Sequence, residues 1–349
     1  MLISQKLINW YQVHKRDLPW RHTNDPYNIL LSEMILQQTR VDQGISYYYK
    51  FIERFPNIED LAKADEQEVL RLWQGLGYYS RARNLLHTAQ FIVSEYNGEF
   101  PKEYKKLLAL KGVGDYTAAA IASHAFDLNY AVVDGNVYRF LARYFAIEEA
   151  IDSSKGKKLF KNIANDLLDK QRPGLHNQAI MEFGALHCKP QNPKCTNCPF
   201  MENCQAFADK KIDLLPIKKG KTKIRNRYFN YFIVQNKKKE ISMKKRTERD
   251  VWFNLYDFPL IETITHLSEL ELFETNAAEM IFNSVNYTIK NIFPIQVHLL
   301  SHQKLHLRFI EIDLVSENLT EKFRNYSFEE IEKLPLPRPI DQFLSGFSK

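Results

Sequence analysis

Cysteine is scarce and confined to one place. The 349-residue chain has four, all between Cys188 and Cys204, which leaves none for a disulfide framework elsewhere and points to a reducing compartment. Long apolar runs are also missing. The uncharged stretch from Tyr116 to Phe126 is too short to span a bilayer, and the N-terminus has no signal-peptide core. On these absences a soluble intracellular protein is expected. Neither sign of charge dominates: 48 Lys and Arg stand against 42 acids, a net +6, so whole-molecule charge is a weak argument for nucleic acid. The chain has no internal repeat, no low-complexity tract and no sign of disorder. What is present, 44% apolar residues over this length, is enough for a core in each of two domains.

Residues 1–208 carry helical periodicity almost throughout, in segments separated by turn signals such as Pro19, Asp25-Pro26, Asn97-Gly98 and Pro173-Gly174. This half reads as all-α. Residues 209–227 read as a basic linker: from Lys210 to Arg227 there are eight Lys or Arg and one acid, Asp213, which suits a solvated charge run as well as a DNA contact. From residue 228 to 349 the pattern turns to alternation, as in Tyr228–Val234 and Ile295–Leu300, with a helical stretch near Thr275–Val285. An α+β domain is expected there.

Three local patterns carry chemistry. At Gly112-Val113-Gly114 two helical patterns meet, and a Gly-x-Gly turn opening an Ala-rich helix offers free amides and a positive dipole end to a phosphate. Asp134 follows a short apolar run and stands at the start of a helix. N-cap aspartates are commonplace, but beside a DNA clamp the same helix end would keep the carboxylate ionised next to positive charge. Glu33 sits on a predicted helix with Ile29, Leu30 and Leu36 on its face. A helical glutamate is usually solvated; in a closed pocket, however, desolvation would raise its pKa and let it hold a proton near neutrality. An acid of that kind beside an ionised carboxylate suits hydrolysis of a glycosidic bond to a purine.

The cysteines themselves, Cys188, Cys195, Cys198 and Cys204, follow C-x6-C-x2-C-x5-C. Four thiols this dense are a strong metal signal, and spacing alone leaves tetrahedral zinc and an iron–sulfur cluster both open.

Five motifs in order closely resemble the adenine DNA glycosylase (MutY) family of the helix-hairpin-helix, endonuclease III-like superfamily. They are Leu18-Pro19-Trp20-Arg21, Ser32-Glu33 with Gln37-Gln38-Thr39-Arg40, Gly75-Leu76-Gly77-Tyr78-Tyr79-Ser80-Arg81, Gly112-Val113-Gly114-Asp115-Tyr116, and Val133-Asp134-Gly135-Asn136-Val137-Tyr138-Arg139. The resemblance implies a helical glycosylase core over 1–208, with its hairpin at 107–126 and an iron–sulfur loop at 188–204, followed by a Nudix-like domain over 228–349. It implies Glu33 as general acid and Asp134 as stabilising carboxylate, with Tyr116 and Asn136 lining the site. Arg21 and Gln178 would contact a flipped adenine, Gln38 and Tyr78 would wedge into the duplex, and Gly112 and Gly114 would approach its backbone. The four cysteines would hold a 4Fe-4S cluster. Leu300-Ser301-His302 matches the family's Phe-Ser-His loop that reads 8-oxoguanine, with Ser301 and His302 keeping the polar pair and leucine replacing the aromatic contact. No Nudix box is present, so pyrophosphatase activity is not expected.

Tyr116 occupies the slot in which lyase-competent relatives carry a Schiff-base lysine, so base removal without efficient strand cleavage is expected. The partner implied is double-stranded DNA with adenine opposite 8-oxoguanine or guanine, bound by a monomer in the cytoplasm at the nucleoid. The alternatives are an endonuclease III-like glycosylase/lyase, which would want lysine at 116 and no C-terminal domain, and a non-catalytic DNA-binding module, which would not need both Glu33 and Asp134.

Overall fold

The structure is a computed structural model that describes residues 2–220, 224–282, 285–315 and 319–347. It divides into two compact units, Met1–Ala64 with Ser80–Gly220, and Asp65–Tyr79 with Lys221–Lys349.

The first unit is helical. Its elements are α1 (Ile3–His14), α2 (Pro26–Leu36), α3 (Val41–Arg54) and α4 (Ile58–Ala62), and then, beyond α5 (Glu66–Leu72) of the second unit, α6 (Ser80–Tyr96), α7 (Tyr104–Leu108), α8 (Asp115–Phe126), α9 (Gly135–Tyr144), α10 (Ser154–Leu167), α11 (Pro173–Leu186) and α12 (Gln205–Ala208). Helix α2 starts where Asp25 accepts from the Tyr27 amide and Pro26 takes the first position, where a missing N–H costs nothing. It is buried at Tyr27 and from Ile29 through Ile35, so Glu33 lies in a helix covered on nearly every side rather than on the edge of an amphipathic one. Helix α11 is similarly buried and packs on α1, α8 and α9. Between them the rings of Phe140, Phe183 and Phe200 meet edge to face at 5.1–5.3 Å, tying the cysteine loop to this core.

Helices α7 and α8 form the hairpin. Gly112 has φ +80°, and a Cβ there would meet the Asn84 side chain at 2.8 Å, so both backbone and space require glycine. Gly114 differs. Its φ of −92° is open to any residue, and nothing lies within 4 Å of where a Cβ would be, so the fold itself does not demand glycine there. No side chain caps α8, and its first acidic residue, Asp115, turns to Lys161 at 2.7 Å and to the Tyr104 hydroxyl at 2.9 Å.

In the second unit, β1 (Arg225–Gln235) runs parallel to a later strand, Gln303–Leu314, through eleven paired residues. The intervening elements are β2 (Ile241–Lys245), β3 (Tyr256–Asp257), β4 (Leu260–Thr263), α13 (Glu269–Phe273), α14 (Asn276–Phe282), β5 (Tyr287–Ile292) and β6 (Gln296–Leu299); β7 is Gln303–Leu314, followed by β8 (Arg324–Tyr326), α15 (Phe328–Ile331) and α16 (Arg338–Phe347). Alternation suggests a strand buried on one face, yet β1 is buried at every position from Phe229 to Gln235. Both faces are covered. Phe232 and Val234 pack with Ile310, Ile312, Leu272 and Phe282 on one side, while Tyr231 stacks on Phe309 and Phe309 on Phe343 of α16 on the other.

Two features of this unit escape a local reading. Residues 65–79, helical in pattern like their neighbours, group with the sheet: Gln67 donates to the Asn254 carbonyl at 3.4 Å, Gln74 accepts from the Leu336 amide and Tyr79 donates to the Leu336 carbonyl, both at 2.9 Å. Arg227, in the basic stretch, is buried and bonded to Asp250 and Glu262, so it is a structural cation rather than a solvated one. Lys221, Thr222 and Lys223 of that stretch lie outside the described residues.

Candidate active site

A cavity of about 540 Å³ opens in the first unit. Arg21, Glu33, Gln38, Tyr116, Asp134, Asn136 and Gln178 all line it, gathered from the Pro19–Arg21 turn, α2 and the loop after it, α8, α11 and the start of α9. Glu33 is 8% exposed. Burial pushes its carboxyl up from the ordinary 4.5 to about 7; the neighbouring Tyr116 hydroxyl opposes that rise, the charge of Asp134 adds to it and Arg21 opposes it.

Asp134 is the N-cap of α9, and its Oδ1 accepts from the Asn136 amide at 2.9 Å and the Val137 amide at 2.8 Å. The Asn136 side chain bridges: Nδ2 donates to Asp134 Oδ2 at 2.7 Å and Oδ1 accepts from Arg139 at 2.9 Å. Arg139 in turn donates to the Gly184 and Cys188 carbonyls, fixing the arrangement to α11 and the cysteine loop. Burial raises the Asp134 carboxyl above its ordinary value despite the three hydrogen bonds, which oppose it together with Arg139. The helix end therefore offsets only part of the desolvation. The two carboxyls still divide: Glu33 has the more apolar surroundings, and Asp134 holds three N–H donors suited to an anion.

The start of α9 leans closely on α11. A Cβ on Gly184 would lie 2.6 Å from the Asn136 carbonyl oxygen, so Gly184→Ala is expected to displace Asn136 and Asp134. The variant should lose about 1–3 kcal/mol in chemical denaturation and should also slow single-turnover cleavage. A normal cleavage rate would show that the catalytic geometry tolerates the shift.

Sequence reading misses several residues that build this site. Glu182, 1% exposed, lines the cavity and accepts from Arg16 (2.7 and 2.9 Å) and Arg21 (2.8 and 3.1 Å). Burial alone would raise its carboxyl, but the two arginines hold it down at about 2. Its one signal is an acid among Ile180, Met181, Phe183 and Gly184 on a buried helix. Arg81 donates to the Met34, Ile35 and Gln37 carbonyls at 2.5–2.9 Å and so holds the end of α2 that leads into Gln38.

The remaining predicted residues lie elsewhere. Gly112 and Gly114 form the hairpin turn. Tyr78, Ser301 and His302 belong to the second unit, where Ser301 and His302 stand exposed in the turn between β6 and β7, closed by the Leu300 amide donating to the Gln303 carbonyl at 2.8 Å. The Tyr78 hydroxyl hydrogen bonds to that of Ser301. Gln38 and Tyr78, the two residues read as duplex wedges, both have left-handed backbone, φ 59° and 48°, an uncommon conformation for side chains of that kind.

The four cysteines line one hollow, walled by Phe140, Tyr144, Phe183 and Phe200. Arg143 ties its ends together, donating to the Lys189, Pro190, Ile212 and Leu215 carbonyls at 2.7–3.1 Å and reaching Cys188 Sγ at 3.6 Å. Burial pushes the Cys198 thiol up to about 12 and raises those of Cys195 and Cys204, so a positive centre is what would make them thiolates. Among the described residues no three His, Cys, Asp or Glu side chains converge as ligands of a single ion. No helix among them is long and apolar enough to cross a membrane.

A hairpin-bearing helical unit with a buried acid, joined to a mixed sheet between helices, defines a base-excision repair protein with a Nudix-like domain: residues 31–166 match the HhH-GPD superfamily of base excision DNA repair proteins, and residues 230–346 match the NUDIX domain. A relative from Buchnera aphidicola subsp. Acyrthosiphon pisum, an adenine DNA glycosylase, is 34% identical over 357 residues, spanning 100% of this chain and 98% of the relative. The chain belongs to the adenine DNA glycosylase family. The mouse adenine DNA glycosylase is 45% identical over 210 residues, 58% of this chain and 41% of its own length. A solved thermostable thymine-DNA glycosylase is similar to this chain with a TM-score of 0.55 at 31% identity, over 59% of this chain and 95% of that structure.

Proposed function

We propose that the protein is a monofunctional DNA N-glycosylase that excises adenine paired with 8-oxoguanine or guanine. The observation that carries this reading is the pocket in which Glu33, poised at about 7, faces Asp134 with its three donors. Adenine flipped from the duplex would enter the cavity, with Arg21 and Gln178 contacting the base. Glu33 gives its proton to the purine ring, so that the base leaves neutral as the C1′–N9 bond breaks. Asp134 stabilises the oxocarbenium-like sugar, or bonds to it transiently, until water adds. Tyr116 and Asn136 shape the space and orient these carboxyls. Gly112, Gly114 and the uncapped start of α8 would take a phosphate, and Gln38 and Tyr78 would fill the gap in the duplex.

A 4Fe-4S cluster fits the four thiols that surround one apolar hollow. It would supply structural and DNA-docking stability, since hydrolysis of a glycosidic bond has no redox step. Cys188, Cys195, Cys198 and Cys204 would hold it, with Arg143 bracing the loop. The protein would act as a monomer in the cytoplasm, at the nucleoid.

The test is a single-turnover assay on a labelled duplex with adenine opposite 8-oxoguanine, quenched with and without alkali. Strand breaks only after alkali are expected, because Tyr116 offers no amine for a Schiff base. Breaks without alkali would mean that a lysine attacks the sugar. Ser301→Ala with His302→Ala should narrow the preference between 8-oxoguanine and guanine partners while leaving cleavage itself intact; an unchanged ratio of rates would remove the loop from lesion reading.

A further inference from the structure

A second hollow, about 230 Å³, adjoins the reaction cavity in the first unit. The two share Arg16, Arg21, His124 and Gln178 as common lining. The rim of the second is formed by Lys15, Asp17, His22, Asn24 and Asp127, all exposed, so it opens to solvent. Its inner wall is polar but incompletely bonded. Gln178 Oε1 accepts from the Tyr11 hydroxyl at 2.5 Å, and its amide N–H groups meet no protein acceptor among the described residues. His124 Nδ1 is buried without a hydrogen-bond partner among the described residues, and burial with the charge of Arg21, opposed by the Gly174 backbone, lowers the imidazole pKa to about 4 and keeps the ring neutral. The Arg21 guanidinium lies 5.4 Å from the Tyr11 ring centroid, a flat cationic face beside this wall.

The reaction proposed above creates a problem that this arrangement solves. Once the glycosidic bond breaks, the DNA strand and its abasic sugar still stand where the base entered. The purine must wait for the DNA to leave or depart by another opening. Adenine is neutral and planar, with ring nitrogens that accept and two donating groups, the exocyclic amine and the ring N–H that carries the proton taken from Glu33. Gln178 offers the donor, neutral His124 an uncharged polar wall, and Asp127 an acceptor at the rim.

We propose that this second hollow is an exit site for the released purine, reached past Gln178 and His124, through which adenine leaves while the abasic DNA remains bound. The proposal rests on the glycosylase reading, and its test separates the two. Duplex carrying radiolabelled adenine is cleaved in a single turnover by the full-length protein, and filtration then follows free label and protein-bound DNA separately. Label should leave at least tenfold faster than DNA. Asn24→Trp, placing a ring in the rim, should slow label release about tenfold with the cleavage rate unchanged, and Asn24→Ala should release as the parent does. A second measurement does not depend on turnover: 2-aminopurine should bind the protein already holding a duplex with a stable abasic analogue, and Asn24→Trp should weaken that binding about tenfold. Label and DNA leaving together, or 2-aminopurine binding unaffected by Asn24→Trp, overturns the exit site while leaving the glycosylase reading intact. Absence of adenine cleavage overturns that reading and the exit with it.

Discussion

Glu33→Gln is expected to slow adenine excision by about 10³-fold, within the range that one general acid supplies, while leaving the duplex bound. The same change should make the protein more stable at pH 8. Glu33 is raised in the folded state from 4.5 to about 7, so the fold binds this proton more tightly than the unfolded chain does. The sign follows: stability from this group is fully present below pH 4.5 and is lost as pH rises through about 7. The loss amounts to roughly 3 kcal/mol above that range, at 1.36 kcal/mol per pH unit. Glutamine carries no charge to desolvate and escapes it. Denaturant midpoints should therefore coincide for the two proteins below pH 4.5 and diverge in favour of the variant toward pH 8. A glutamine variant no more stable at pH 8 would show that the carboxylate is better solvated in the folded protein than its burial implies. Loss of binding together with turnover would point instead to a structural carboxyl. In the parent protein the rate of excision should fall as pH rises past about 7, as the acid loses its proton.

That trade of stability for an acid is legible in the sequence only where the signal is local. The N-cap position of Asp134 follows from an apolar run that ends at a helix start, and the Gly112 turn follows from two helical patterns meeting; each depends on residues within a few positions. The depth of Glu33 does not. Ile29, Leu30 and Leu36 define one apolar face, whereas the pocket is closed by Tyr116, Gln178 and Glu182 from helices that only tertiary packing brings near. The same holds for Arg81, Arg139 and Arg143, buried arginines that donate to backbone carbonyls 44 to 72 residues away, bonds that leave no pattern in sequence. In the sheet, a run that alternates in composition is buried on both faces, because α14 covers one and α16 the other. Arg227 reads as part of a charge run since its partners, Asp250 and Glu262, arrive from later strands and loops.

Glu182→Gln tests the part of the site that the sequence hides, and it should cost about 3 kcal/mol. Removing one partner of a buried ion pair strands the others, here two guanidiniums against a cavity wall. Glu182 is held at about 2 in the fold against an ordinary 4.5, so its contribution is present above pH 4.5 and lost as pH falls through about 2. The two proteins should differ most near neutrality and converge in strong acid. A second consequence separates positioning from mere packing. Arg21 already opposes the rise of the Glu33 pKa, and Glu182 is the carboxylate that neutralises Arg21. With that charge gone, Arg21 acts on Glu33 unopposed and lowers its pKa. The alkaline fall in single-turnover rate should therefore move to lower pH in Glu182→Gln, and the rate at pH 8 should drop more than the rate at pH 6. A uniform loss at both pH values would mean that Glu182 supports the pocket only as a strut, with no electrostatic hold on the acid.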